Sequence, residues 1–151
     1  MVAVFVALLL ALPNTKATVD IPESWAKLDD KPALVAAYKS PAGAHLAITR
    51  AAVPNTAAWR AKTRDAYVAD VARGALAKLP GAKELAKKLG DANGVPALDL
   101  EARKADGTTV VLRYLLFRTY ALALAIEIPK GGDVAAARAI AKSFSPPKAT
   151  P

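Results

Sequence analysis

The run from Ala97 to Ile128 constrains this chain more than any other stretch of it. Ala97 to Lys104 alternates, with Leu98, Leu100 and Ala102 set against Asp99, Glu101 and Arg103. A period of two marks a half-buried strand, because successive side chains point to opposite faces of a sheet. Ala105-Asp106-Gly107 follows and predicts a hairpin, since Asp-Gly readily takes the positive φ angles that tight turns need. A three-residue loop with Gly107 left-handed pairs Leu100 with Leu112, Leu98 with Tyr114, and Asp99 with Arg113. A two-residue loop would set Leu100 against Arg113, so hydrophobic pattern and charge both select the first register. Thr108 to Ile128 is too long for one strand and must fold back, most readily at its polar point, Arg118-Thr119. Beyond that turn Tyr120, Leu122, Leu124 and Ile126 face one way, and Ala121, Ala123, Ala125 and Glu127 face the other. Large residues on one side and alanines on the other describe a central strand covered on both faces, with the alanines admitting a helix at close range.

Earlier in the chain, Asp20 to Trp25 reads as a short strand closed by Pro22, with Trp25 returning to the core. Ala33 to Lys39 and His45 to Val53 form a hairpin around Ser40-Pro41-Ala42-Gly43. A long helix starts at Asn55 or Thr56, either a competent N-cap. Its buried face is Tyr67, Val68, Val71, Ala72, Ala75, Leu76 and Leu79. Pro80-Gly81 stops it, Ala82 to Leu89 forms a short second helix, and Gly90 to Gly94 is loop. Gly131-Gly132-Asp133 caps a last helix with Val134, Ala137, Ile140, Ala141 and Phe144 as its buried stripe. Ser145-Pro146-Pro147 ends that helix, and residues 147–151 form a disordered tail. The fold class is therefore α+β, an antiparallel β-sheet flanked by helices in an α/β/α layered sandwich.

A length of 151 residues allows one such domain, residues 18–146. The chain has no cysteine, which excludes disulfides, cysteine-held zinc, thiol nucleophiles and a lipoprotein's lipid anchor. Val2 to Leu12 is an unbroken apolar run followed by Pro13 and Thr15-Lys16-Ala17. As a helix it would reach only ~16 Å at the standard rise, short of the ~30 Å hydrocarbon core of a bilayer. It fits a signal peptide, residues 1–17, cleaved after Ala17, and so an exported, periplasmic or extracellular protein without a transmembrane anchor. No Lys or Arg precedes the run, and its other reading is a buried first strand or helix.

Several residues together resemble the PsbP-like superfamily, which includes extrinsic photosystem II subunits and exported bacterial proteins of the DcrB kind. They are Ile21-Pro22 with Trp25, the Asp106-Gly107 hairpin, and Tyr120 with its alanine-alternating strand ending at Pro129. The closing helix, with Ala137-Arg138 and Ser143-Phe144, completes the pattern in order from Thr18 to Pro146. The resemblance implies an antiparallel sheet between helical layers and a role in binding or assembling other proteins. It does not imply catalysis, and it carries over no functional residue.

Catalytic patterns fail on particular residues. His45 is the sole histidine, and none of Ser24, Ser40, Ser143 and Ser145 sits in a Gly-x-Ser-x-Gly turn. As a metal ligand His45 would need Asp99 and Glu101, which Arg103 and Arg113 can neutralise. Asp29-Asp30 are adjacent loop residues, not carboxylates held across a cleft. No phosphate-binding glycine loop occurs, so no cofactor, metal or catalytic residue is assigned.

The net charge of +8 favours an acidic protein or an anionic envelope component as partner. Between Thr56 and Gly90 eight cations face three anions, which nominates Arg73, Lys83, Lys87 and Lys88 as a partner surface. Nucleic acid is the weakest acidic partner, because only Trp59 and Tyr67 interleave with those cations for stacking. The alternative function is a small-ligand carrier with a pocket between sheet and helix near Trp25, Trp59 and Tyr120.

Overall fold

The computed structural model describes residues 7–11, 17–28, 34–52, 64–117 and 120–146. Seven strands form one antiparallel sheet. They are β3 (Ala26–Lys27), β4 (Leu34–Lys39), β5 (His45–Ala52), β6 (Lys83–Ala92), β7 (Val95–Arg103), β8 (Thr109–Leu116) and β9 (Tyr120–Ile128). Their spatial order is β3-β4-β5-β9-β8-β7-β6. A separate pair joins β1 (Ala7–Ala11) to β2 (Thr18–Pro22), with Ala11 opposite Thr18. Two helices complete the described residues, α1 (Arg64–Ala77) and α2 (Val134–Ser143).

The alternating run folds as its pattern dictates. Leu100 lies opposite Leu112, Leu98 opposite Tyr114 and Asp99 opposite Arg113. Gly107 takes φ 91°, and the Asp106 carboxylate accepts the Thr108 N–H at 2.9 Å. That bond holds the Asp106 carboxyl below its ordinary value. A side chain at position 107 would have to adopt left-handed backbone, which costs about 1–2 kcal/mol. Gly107→Ala is expected to lower the unfolding free energy by about that amount in urea titration, with the denaturant slope unchanged. The fold-back also falls where expected, since Phe117 N–H donates to Tyr120 C=O at 3.0 Å across the turn.

The two faces of the sheet bury different things. Leu122, Leu124 and Ile126 of β9 join Leu46, Ile48, Val111 and Leu115 under α2, which contributes Ala137, Ile140 and Ala141. Val19 and Ile21 of β2 enter the same cluster, as does Phe144, and Trp25 packs against it as expected. On the other face Ala72 and Ala75 of α1 meet Leu98, Leu100, Val110, Leu112 and Leu116. Ala121 and Ala125 of β9 pack against the same clusters. Tyr114 is on this face too, and its burial raises the phenol's pKa. Asp133 caps α2 by accepting the Ala136 N–H at 3.0 Å. The proposed N-caps of α1, Asn55 and Thr56, lie outside the described residues, as do residues 147–151.

One element differs from expectation. Residues 82–89 are not a helix, because Lys83–Ala92 is the edge strand β6. Lys, Glu, Leu and Ala are good helix formers, yet β7 pairs with this segment from Lys83 opposite Arg103 to Ala92 opposite Val95, with one irregularity between Glu84 and Ala86. Of the residues read as loop, Gly90 to Ala92 end β6, and Asn93 and Gly94 are the turn that enforces this pairing. Asn93 and Gly94 have φ of 51° and 89°, the two-residue hairpin geometry that Asn-Gly favours. Pairing across an established strand outweighs local propensity here.

Candidate functional site

The β6–β7 hairpin extends past the edge of α2, and the step between helix and sheet forms a groove of about 610 Å³. Its floor is the α2-facing side of β6 and β7. Ala86 lies opposite Glu101, Lys88 opposite Asp99 and Gly90 opposite Ala97, and paired residues in a ladder share a face. Its far wall is Arg138, Ala141 and Lys142 of α2, followed by Ser145.

Two ion pairs brace the floor. Arg113 Nη1 donates to both Asp99 oxygens, at 3.0 and 2.9 Å, and Arg113 Nε donates to the Phe144 C=O at 2.8 Å. A strand is thereby locked to the residue that ends α2. Arg138 reaches from α2 to Glu101, with Nη2 donating to Oε2 at 3.0 Å, and this carboxylate raises the guanidinium's pKa. Asn93 Nδ2 donates to the Pro146 C=O at 2.7 Å, which ties the hairpin turn to the chain leaving α2. Ser143 does the same for β2, since its Oγ accepts the Asp20 N–H at 2.9 Å.

Comparison with family models and with curated proteins gave no match. Comparison with solved structures did. The solution structure of cyanobacterial PsbP (CyanoP) from Synechocystis sp. PCC 6803 superimposes with a TM-score of 0.67 at 12% identity, covering 97% of both chains. The fold is PsbP-like. A Pseudomonas aeruginosa protein of unknown function also matches, at TM-score 0.54 and 23% identity, covering 95% of this chain and 99% of that one. At these identities the likeness is one of fold, and the chemistry must come from the residues themselves.

On this PsbP-like frame the residues nominated from sequence do not gather in one place. Lys87 and Lys88 line the groove, whereas Lys83 and Arg73 do not. The strand register divides the lysines, with Lys88 and Lys83 on the α2 side and Lys87, opposite Leu100, on the α1 side. Arg73 is exposed on α1 and bonds Asp70 at 3.1 Å. Tyr120 stacks on Phe117 with ring centroids 4.6 Å apart, and the Arg50 guanidinium sits 4.1 Å from the Tyr120 ring centroid. Neither Trp25 nor Tyr120 lines the groove, and Trp59 lies outside the described residues. His45 is opposite Glu127 on β5, so it is on the sheet face that Asp99 and Glu101 do not share. Among the described residues no cluster of His, Asp and Glu could hold a metal.

Arg138 and Lys142 escape a reading of the sequence because their role depends on where α2 crosses the sheet. The Asp99–Arg113 pair follows from the hairpin register alone. The Glu101 carboxylate finds Arg138 rather than Arg103, its neighbour two residues along the strand.

Proposed function

We propose that this chain is a non-enzymatic accessory protein, exported to the cell envelope, that works by binding an acidic protein or another anionic envelope component. The observation that carries the reading is full-length likeness to cyanobacterial PsbP combined with a net charge of +8. The α/β/α layering expected from the sequence belongs to the same reading, supported by α1 and α2 packing on opposite sheet faces. Among the described residues no helix is long and apolar enough to cross a membrane.

Export would remove residues 1–17 and with them β1, the partner of β2. β2 keeps other holds, because Thr18 and Ser145 exchange backbone hydrogen bonds at 3.0 and 3.1 Å. A mature chain starting at Thr18 therefore retains its first strand. Intact mass of the protein recovered from its native envelope tests this, and a mass including residues 1–17 refutes cleavage.

The edge strand β6 is the proposed contact, with Lys83, Lys87 and Lys88 along it and Arg73 beyond. Lysines on an edge also deter strand-to-strand aggregation, so the test must read binding rather than solubility. A partner is first identified by cross-linking in the native envelope, and its affinity is then measured with purified components. Changing Lys83, Lys87 and Lys88 to Glu together is expected to weaken it by at least about tenfold, chiefly through slower association. Unchanged affinity removes this surface from the proposal. The carrier alternative gains one observation, the groove, although the pocket envisaged at Trp25, Trp59 and Tyr120 is elsewhere.

A further inference from the structure

We propose that the groove between β6–β7 and α2 binds a small organic anion carrying at least two carboxylate or phosphate groups. This goes beyond partner binding and does not depend on it. The first observation is Gly90. Its φ is not in the left-handed range, and a Cβ built there would meet nothing within 4 Å. Its backbone conformation does not require glycine, and glycine weakens a strand. A side chain here would rise on the face of Ala97, into the groove. Its absence leaves room, as do the small residues Ala86, Ala92 and Ala97 on the same lining.

The second observation is the state of the donors. Arg113 is almost wholly enclosed, its side chain 9% exposed, with Nε and Nη1 committed to Phe144 and Asp99. Its Nη2 has no hydrogen bond among the described residues, and Arg113 itself lines the groove. Both floor carboxylates are already engaged, Asp99 by Arg113 and Glu101 by Arg138. Lys88 on the strand bank and Lys142 on the helix bank form no ion pair among the described residues. Of the remaining charged lining residues, Lys87 and Asp91 alternate onto the other face and offset each other. Two free amines flanking a fixed guanidinium leave an excess of positive charge that suits a multivalent anion.

The test is amide chemical-shift titration of the full chain with citrate and, separately, with inorganic tripolyphosphate at matched ionic strength. Saturable shifts confined to residues 86–92, the facing part of β7 and the end of α2 are expected with at least one probe. Saturation by citrate alone identifies a carboxylate ligand, and saturation by tripolyphosphate alone a phosphate ligand. Gly90→Leu should keep a dispersed spectrum and weaken the probe by at least about tenfold. Lys88→Glu combined with Lys142→Glu, both exposed, should do the same, and it decides the matter if Gly90→Leu loses its fold. Shifts that never saturate with either probe, or equal affinity in the variants that remain folded, overturn the site. Partner affinity measured on the unmodified chain is unaffected by that failure, so the two proposals fail separately.

Discussion

Phe144→Ala is expected to lower the melting temperature by roughly 12 °C, the product of ~4 kcal/mol for deleting a buried ring and ~3 °C per kcal/mol at this chain size. Phe144 is fully buried in the cluster that unites α2, β2 and the central strands. The cost depends on whether the surroundings can collapse into the space. Here the backbone on either side is held independently of the ring. Phe144 N–H donates to the Ala141 C=O at 3.1 Å, its C=O accepts from Arg113, and Ser145 is bridged to Thr18. A pinned frame relaxes little, so the loss falls toward the upper part of the range. Phe144→Leu retains most of the volume and should cost under about 1.5 kcal/mol. Scanning calorimetry on both variants checks the pair. A drop below ~4 °C for the alanine variant would mean that the site closes and that α2 is less firmly held than these bonds imply.

Much of the fold was legible where a side-chain period and a turn signal agreed. Alternation from Leu98 to Arg103 names two faces, and Asp106-Gly107 sets the loop length, so only one register keeps Asp99 beside Arg113. The β4–β5 hairpin follows from Ser40 to Gly43 in the same way, with Lys39 opposite His45. β6 was not legible by that route. Lys83 to Leu89 carries the composition of a helix, and its strand state comes from β7, a partner on the far side of Asn93-Gly94. Given weight as a two-residue hairpin, Asn-Gly would have reversed the assignment.

That one difference also governs the candidate site. As a helix, Lys83, Lys87 and Lys88 would share a face; as a strand with an irregularity between Glu84 and Ala86, they divide between two. The groove needs β6 as its bank and α2 as its opposite wall, elements with residues 93–133 between them. No local pattern encodes that juxtaposition. What sequence did hold was Gly90 inside a segment otherwise able to form regular structure, a signal for close approach or open space.

The Asp99–Arg113 pair yields a second large effect, with an asymmetry that identifies which charge the fold has buried. Side-chain exposure is 9% for Arg113 and 40% for Asp99. Removing Asp99 leaves the enclosed guanidinium with only the Phe144 C=O, and stranding a buried charge costs ~3 kcal/mol or more. Removing Arg113 leaves a carboxylate that water can reach, together with one carbonyl short of its donor, for about 2 kcal/mol. Asp99→Ala is therefore expected to destabilise more than Arg113→Leu, although arginine is the larger and more buried residue. The double variant Asp99→Ala/Arg113→Leu should recover part of the loss, because no charge is then left without a partner. Urea unfolding of the four proteins closes the cycle. If Arg113→Leu is the worse single change and the effects add, the stem of Arg113 matters for packing and its charge does not, and the donor assigned to the groove loses its anchor.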